Sequence, residues 1–337
     1  MSAAVPGIPA PAFRRVLLAW YTASKRDLPW RRSNAFYPVW LSEVMLQQTR
    51  VEAVIPYYLR FLERWPSVEA LAGAPETDVL AAWSGLGYYR RARNLHRAAA
   101  QMAAGGLPAT HEQVLALPGA GTYTAAAIAS IALGLPHAAV DGNVTRVVAR
   151  LTNDASETTS PGARRRIAEA ARALLDTRRP GDFNQAMMEL GAVICLPRTP
   201  ACGRCPVETF CAARAAGTAP ELPVKLRKQK TRDVRLDLVV FENERGVFLM
   251  RRSSAERRLA DFWELPEKKL LRGARCRRLR EFRHQIVNDR LRVAVWTSRA
   301  APPPEGRWFS FAELDGVPLT TVTRKALDAR IPSGAGK

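Results

Sequence analysis

What the chain lacks narrows its identity first. No segment approaches the roughly 18 to 20 uninterrupted apolar residues of a membrane span, so no membrane location is expected. The opening MSAAVPGIPAPAF has no basic stretch leading into an apolar core, and no signal peptide is expected. No internal repeat is evident, which excludes a solenoid or propeller. The five cysteines are not spread as disulfide pairs: four crowd between Cys195 and Cys211, the pattern of ligation in a reducing compartment. Acidic residues are also short. Against 51 Lys+Arg stand only 31 Asp+Glu, a net charge of +20 in 337 residues. Such an excess favours a polyanionic partner, most often nucleic acid; an arginine-rich compositional bias is the alternative. The 47% hydrophobic and 24% charged content is that of a soluble globular protein of two or three domains.

The first 195 residues are nearly devoid of alternating β pattern and read as all-α. Apolar spacing predicts a helix over 13–25, and Pro38 is placed to start the next, where its missing N–H costs nothing. That helix is expected to run on through WLSEVMLQQTRVEAVI, burying Leu41, Val44, Met45, Val51, Val54 and Ile55, until Pro56 ends or kinks it. Further helices are expected at 76–83 and 89–104, with Gly105-Gly106 as a stop. From Glu112 to Arg150 the pattern is short helix, hairpin, helix, turn, helix, and helices resume at 161–176 and 182–195. Beyond a Pro- and Lys-rich stretch the period changes to two. RLDLVVFE, GVFLMRR, LRVAVWTSR and RWFSF read as strands, with a last helix in TTVTRKALDAR. The expected domains are an all-α region at 1–218, a linker at 219–232 and a small α+β domain at 233–330.

Cys195, Cys202, Cys205 and Cys211 have the spacing C-x6-C-x2-C-x5-C. Four soft thiolates in one short loop can hold a tetrahedral zinc or a cubane iron–sulfur cluster. Arg198 and Arg204 in that loop are either solvated or turned to phosphate. Cys276 lies apart, as a small apolar filler.

LPGAG at 117–121 lies between two helical runs. Gly119 and Gly121 allow backbone angles closed to other residues and leave N–H groups bare beside the positive end of the helix from Thr122. That is a phosphate grip or, alone, a plain glycine-capped turn. Asp141 in AVDGNVTRV is placed to cap the following helix. Glu43 stands among Val44, Met45 and Leu46 on an apolar helix, a setting that raises a carboxylate pKa; an exposed glutamate near a helix start is the other reading.

The cysteine spacing and the hairpin resemble the endonuclease III, or helix-hairpin-helix, superfamily of DNA glycosylases. LPWRR (28–32), VWLSEVMLQQTRVEAVIPYY (39–58), GLGYYRRARNLH (85–96), AVDGNVTRV (139–147) and FNQAMMELGAVIC (183–195) are more specific, and resemble the MutY-type adenine DNA glycosylase family over residues 13–225. The fold then implied is a six-helix part at about 34–140, an iron–sulfur part built from the N-terminal helix with 141–218, and a Nudix-like C-terminal domain. The resemblance implies a [4Fe–4S] cluster on the four cysteines and a partner of double-stranded DNA bearing adenine opposite 8-oxoguanine or guanine. A monomer in the cytoplasm, associated with the nucleoid, is expected.

By the same resemblance Glu43 is the general acid and Asp141 the ionised carboxylate facing the sugar. Base pocket and DNA contacts fall to Trp30, Arg31, Gln48, Thr49, Leu86, Gly87, Leu117, Gly119, Gly121, Asn143 and Gln185, with Tyr88 as the duplex wedge. Members that cut the strand carry a lysine where this chain has Tyr123, and a phenol cannot form an imine. The Glu-rich Nudix metal box is missing, so pyrophosphatase activity is not expected. Many members place Phe-Ser-His where this chain has Ile286-Val287-Asn288, so lesion recognition is expected to be either altered or shifted to Asn288. The alternatives are a thymine or uracil mismatch glycosylase, against which QQTR with Gln185 and the C-terminal domain argue, and a non-catalytic iron–sulfur DNA-binding protein.

Overall fold

The computed structural model describes residues 5–224, 231–252, 262–271, 273–286 and 288–328. Val287 of the expected lesion loop and residues 225–230 of the expected linker lie outside these. The chain divides into two units, Met1–Ala72 with Arg97–Arg227, and Gly73–His96 with Lys228–Lys337.

The helical part runs α1 (Ala10–Ser24), α2 (Phe36–Leu46), α3 (Val51–Arg64), α4 (Val68–Ala72), α5 (Glu76–Ala82), α6 (Arg90–Gly105), α7 (His111–Leu115), α8 (Thr122–Ala132), α9 (Gly142–Leu151), α10 (Pro161–Leu174), α11 (Pro180–Val193) and α12 (Ala212–Ala215). Two expectations about α2 fail. It starts at Phe36, not Pro38, and it does not continue through Gln48 and Thr49. The helix stops at Leu46 because Gln48 takes φ 57, a left-handed conformation that breaks the helical ladder. Pro56 neither ends nor begins a helix but sits inside α3. The Glu52 carbonyl that loses its donor there belongs to an exposed residue, where water can satisfy it.

In the first unit, Phe13, Leu17 and Tyr21 of α1 share a core with Val144, Val147 and Val148 of α9, Leu174 of α10, and Phe183 and Leu190 of α11. The alanines of α8 are almost all buried, and their small size lets α2, α7 and α11 pack closely around it.

In the second unit, β1 (Arg232–Val240) runs parallel to β6 (Asp289–Ser298), and β6 pairs antiparallel with β5 (Cys276–Ile286). A second sheet centres on β3 (Gly246–Arg251), antiparallel to β2 (Glu242–Asn243), β4 (Trp263–Glu264) and β7 (Arg307–Phe309). α13 (Thr321–Leu327) closes the unit, capped by the Thr320 hydroxyl, which accepts from the Thr323 amide. β5 is charged along its length, so alternation does not reveal it; only Leu279 and Phe282 turn toward the core. Cys276 is half-buried at its start. α5 packs against the turn Glu313–Gly316, which groups Gly73–His96 with the strands instead of the helices around it in sequence.

Candidate active site

The first unit holds a cavity of about 520 Å³. Nine of the expected site residues line it: Trp30, Arg31, Glu43, Gln48, Thr49, Tyr123, Asp141, Asn143 and Gln185. Leu117, Gly119 and Gly121 form the neighbouring hairpin and do not line it, while Leu86, Gly87, Tyr88 and Asn288 belong to the second unit.

Glu43 enters the cavity from a helix that is buried on every side, Phe36 through Met45. A helix apolar all round has no wet face to which a carboxylate can turn, so Glu43 is itself only 6% exposed. The exposed alternative is thereby excluded. Burial pushes its pKa up to about 7; the hydrogen bond from Tyr123 opposes this and the charge of Asp141 adds to it. Tyr123 stands on the first turn of α8, and its hydroxyl donates to Glu43 Oε2 at 2.9 Å, with Met188 Sδ at 3.2 Å on its other side. Burial, with the charges of Glu43 and Asp141, holds the phenol well above its ordinary value.

Asp141 lines the same cavity and is met by more hydrogen-bond donors. It caps α9, accepting from the Val144 amide at 2.7 Å on one oxygen and from Asn143 Nδ2 at 2.9 Å on the other. Burial raises its pKa, and these donors together with Arg146 offset only part of that rise. The arrangement is tight because α11 presses on it. A Cβ added at Gly191 would lie 2.6 Å from Asn143 Cβ and 3.1 Å from its Cα, and the Gly191 carbonyl accepts from Arg146 Nη2 at 2.8 Å. The same Arg146 nitrogen donates to Asn143 Oδ1 at 2.8 Å, and Arg146 Nε donates to the Cys195 carbonyl at 2.7 Å. One buried arginine therefore joins the Asp141 cap to the first residue of the cysteine loop.

The cavity wall also contains residues that sequence reasoning passed over. Glu189, 1% exposed, accepts from Arg26 Nε and Nη2 at 2.8 Å each and from Arg31 Nη2 at 2.8 Å. Burial alone would raise its pKa, but these bonds outweigh burial and hold it at about 2. The available signal was its position four residues after Gln185, on the same face of α11. Gln47 was likewise missed; its amide donates to Thr124 Oγ1 at 3.0 Å and the Gly119 carbonyl at 3.4 Å, tying the end of α2 to the hairpin. Trp30 is buried and meets Tyr58 edge-on at 5.5 Å.

In the hairpin Gly119 takes φ 84, as expected, and the Ala120 amide donates to the Leu117 carbonyl at 3.0 Å. The expectation for Gly121 is corrected. It is extended, φ −102 and ψ 176, a conformation open to any residue. A Cβ there would meet no atom within 4 Å, so what glycine contributes is a bare surface at the start of α8.

Cys195, Cys202, Cys205 and Cys211 line one small cavity of about 30 Å³ together with Arg150. Arg150 is buried; its Nη1 lies 3.1 Å from Cys195 Sγ and it also donates to the carbonyls of Leu196, Pro197 and Leu222. Burial pushes the Cys205 thiol up to about 12 and raises that of Cys211. Among the described residues no group of three or more His, Cys, Asp or Glu is arranged to hold a single metal ion. Four thiols around a common space are a donor set that could hold a metal or metal cluster. Arg198 and Arg204 are exposed. No helix among the described residues is long and apolar enough to cross a membrane.

Residues 41–174 match the HhH-GPD superfamily of base excision DNA repair proteins. The chain is 47% identical over 214 residues to an adenine DNA glycosylase of Rattus norvegicus, covering 60% of this chain and 42% of that protein. Against an adenine DNA glycosylase of Mycobacterium tuberculosis it is 42% identical over 208 residues, covering 60% of this chain and 68% of the relative. Among solved structures, a thermostable thymine-DNA glycosylase superposes with a TM-score of 0.55 at 27% identity, covering 61% of this chain and 97% of the other. The chain thus spans less than half the length of its rat relative but more than two thirds of the mycobacterial one. On these matches, and with a hairpin, capping aspartate and buried glutamate in one helical fold, the chain belongs to the MutY-type adenine DNA glycosylase family.

Proposed function

We propose that the protein is a monofunctional DNA glycosylase that hydrolyses the N-glycosidic bond of adenine mispaired with 8-oxoguanine or guanine. The observation that carries this reading is Glu43: a buried carboxyl titrating near 7 in a cavity it shares with Asp141. A base inside a duplex is out of reach, so the adenine is flipped out of the stack into the cavity. Glu43, protonated, donates to an adenine ring nitrogen. The bond from C1′ to the base then breaks with its electron pair leaving on the adenine. The positive charge that develops on the sugar faces Asp141, whose donors favour its ionised form. Water adds to C1′ and gives up its proton to the Glu43 carboxylate, which restores the acid. The products are free adenine and an abasic strand still intact.

Strand cleavage through an imine needs an amine, and no lysine lines the cavity among the described residues. The hairpin of Leu117, Gly119 and Gly121 with the start of α8 serves as the grip on a DNA phosphate. Gln48 and Tyr88, both non-glycine residues at positive φ (57 and 50), are the residues that occupy the opened duplex. Trp30, Arg31, Thr49, Asn143 and Gln185 shape the pocket, with Leu86 and Gly87 along the strand.

Cys195, Cys202, Cys205 and Cys211 would hold a [4Fe–4S] cluster, which when bound would cross-link the loop. Residues 233–330 act as a Nudix-like recognition domain beyond a linker at 219–232, with Asn288 as its lesion contact.

The likeness to a thymine-DNA glycosylase structure favours the second reading, removal of thymine or uracil from mismatches on the same scaffold. A single-turnover assay on duplexes with A, T or U opposite 8-oxoguanine or guanine separates the two. Adenine release is expected; release of T or U without adenine overturns the first reading. Metal analysis of anaerobically prepared protein is expected to give about four irons per chain, and zinc alone contradicts the cluster.

A further inference from the structure

The segment 84–91 carries Tyr88, which is 46% exposed although Leu86 and Tyr89 near it are buried. Something must hold an exposed aromatic residue at φ 50, and the structure shows two sets of holds. From the helical side, Arg91 Nη2 donates to the carbonyls of Leu86 and Gly87 at 3.4 and 3.2 Å, and its guanidinium lies over the rings of Trp83 and Tyr88 at 5.3 and 5.6 Å. Trp83 Nε1 also donates to the Gly87 carbonyl at 3.1 Å.

The other holds come from the far end of the chain. The Leu319 carbonyl accepts from the Tyr89 hydroxyl at 3.0 Å and from Ser84 Oγ at 3.2 Å. The Tyr89 hydroxyl in turn accepts from the Gly85 amide at 3.3 Å, and Arg324 Nε donates to Ser84 Oγ at 3.3 Å. The Tyr89 ring packs on Phe262 with centroids 4.0 Å apart. Tyr89, Phe262 and Leu319 are all buried, so these bonds form away from competing water. Leu319 is itself tied to the sheet: it bridges Trp263 of β4, the Trp263 amide donates to the Pro318 carbonyl, and the Thr320 amide donates to the Trp263 carbonyl.

We infer that Tyr89 is a positioning residue for Tyr88, through which the strand-rich C-terminal part of the chain sets the wedge that enters the duplex. The inference rests on the proposed role of Tyr88 as that wedge. It gives the C-terminal part a mechanical task besides reading the lesion. Any displacement of the segment around Leu319 reaches the wedge through two hydroxyls and one ring contact. Tyr89 touches no reacting atom; it acts only by fixing the backbone on which Tyr88 stands.

The test is a double-mutant cycle on the full chain with a duplex carrying adenine opposite 8-oxoguanine and a 2-aminopurine beside the 8-oxoguanine. Insertion of Tyr88 unstacks the probe and brightens it; Y88A abolishes the brightening. Y89F keeps the ring against Phe262 and removes both hydroxyl bonds. It is expected to lose most of the brightening and roughly tenfold in single-turnover rate, the scale of two hydrogen bonds. Duplex affinity, dominated by phosphate contacts, should change less than about twofold. In the Y88A background Y89F should cost nothing further, because its effect passes through Tyr88. Losses that add in the double variant, or full brightening in Y89F, overturn the inference. S84A removes a hold on the same carbonyl without touching the aromatic packing, and must show the same non-additivity even if Y89F folds poorly. A wild-type protein that brightens the probe but releases no adenine refutes the glycosylase reading alone, and the fluorescence cycle then decides the positioning role by itself.

Discussion

The Tyr123 hydroxyl donates to Glu43 Oε2 at 2.9 Å, so the side chain standing where strand-cutting relatives are expected to carry a lysine is spent on holding the acid. The bond has a definite electrostatic sense. It stabilises the ionised form of Glu43 and works against burial, and the balance settles near 7. Asp141 sits in the same cavity, and burial raises its pKa as well, against the opposing pull of the backbone and side-chain donors that converge on it.

The first prediction concerns the pH profile. Base release needs Glu43 protonated, so the single-turnover rate should fall as pH rises through about 7. Y123F removes the bond that lowers the Glu43 pKa, so the alkaline limb should move to higher pH. A limb that stays in place, or moves down, would show that the phenol does not tune the acid.

The second concerns the cost of that acid. The unfolded chain releases the Glu43 proton near 4.5 and the folded one near 7. Between these values the folded state holds more protons, so stability falls as pH rises, and the penalty is complete above about 7. The penalty is about 3 kcal/mol at 1.36 kcal/mol per pKa unit. E43Q carries no such penalty and can still accept from Tyr123. It should abolish base release, leave duplex binding intact and raise the Tm by several degrees at pH 8. The difference should vanish near pH 4.5. Thermal melts across that range, beside the activity assay, check both halves; retained activity removes Glu43 from the acid role.

How much of this was legible in the sequence depended on whether a residue's partners lie near it along the chain. Glu43, Tyr123 and Asp141 stand in stretches whose local pattern already points to chemistry: an acid in an apolar run, a glycine hairpin, a capping aspartate. Glu189 was not legible. Its partners Arg26 and Arg31 are more than 150 positions away, and only the packing of α1 on α11 brings them together. The break at Gln48 was hidden for a different reason. Nothing in LQQTR opposes a helix by propensity, and a positive φ at glutamine follows from tertiary packing that sequence periodicity does not encode. β5 escaped because a strand dense in arginine and glutamate shows little alternation, though its pairing with β6 runs from Cys276 to Ile286.

The third prediction follows from Glu189. Its carboxylate has a folded pKa of about 2 against 4.5 when unfolded. The stabilisation is present above 4.5 and is lost as pH falls from there toward 2. E189Q should flatten the acid limb of the Tm profile below about pH 4.5, and E189A, which leaves Arg26 and the half-buried Arg31 without their carboxylate, should destabilise by about 3 kcal/mol. Urea titrations at pH 7 and pH 4 measure both. An unchanged acid limb in E189Q would mean the pair does not form in solution.

Asp141 is both a cap and a candidate catalyst, and the two roles come apart under substitution. Its Oδ1 accepts from the Val144 amide, and asparagine offers the same acceptor at a helix start with nearly equal preference. D141N should therefore keep α9 and its contacts with α11, leaving the Tm within a degree or two. It removes the negative charge that the proposed mechanism sets against the sugar. If electrostatic stabilisation of the developing cation is the role of Asp141, the single-turnover rate should fall by at least about a hundredfold, the scale of one well-placed charge or dipole in a dry site. D141A deletes the cap as well and should cost a further ~1 kcal/mol of stability. The informative comparison is D141N against wild type at pH 7: a stable variant with near-normal adenine release would leave Asp141 as a cap and nothing more. Loss of rate without loss of Tm assigns it to the reaction.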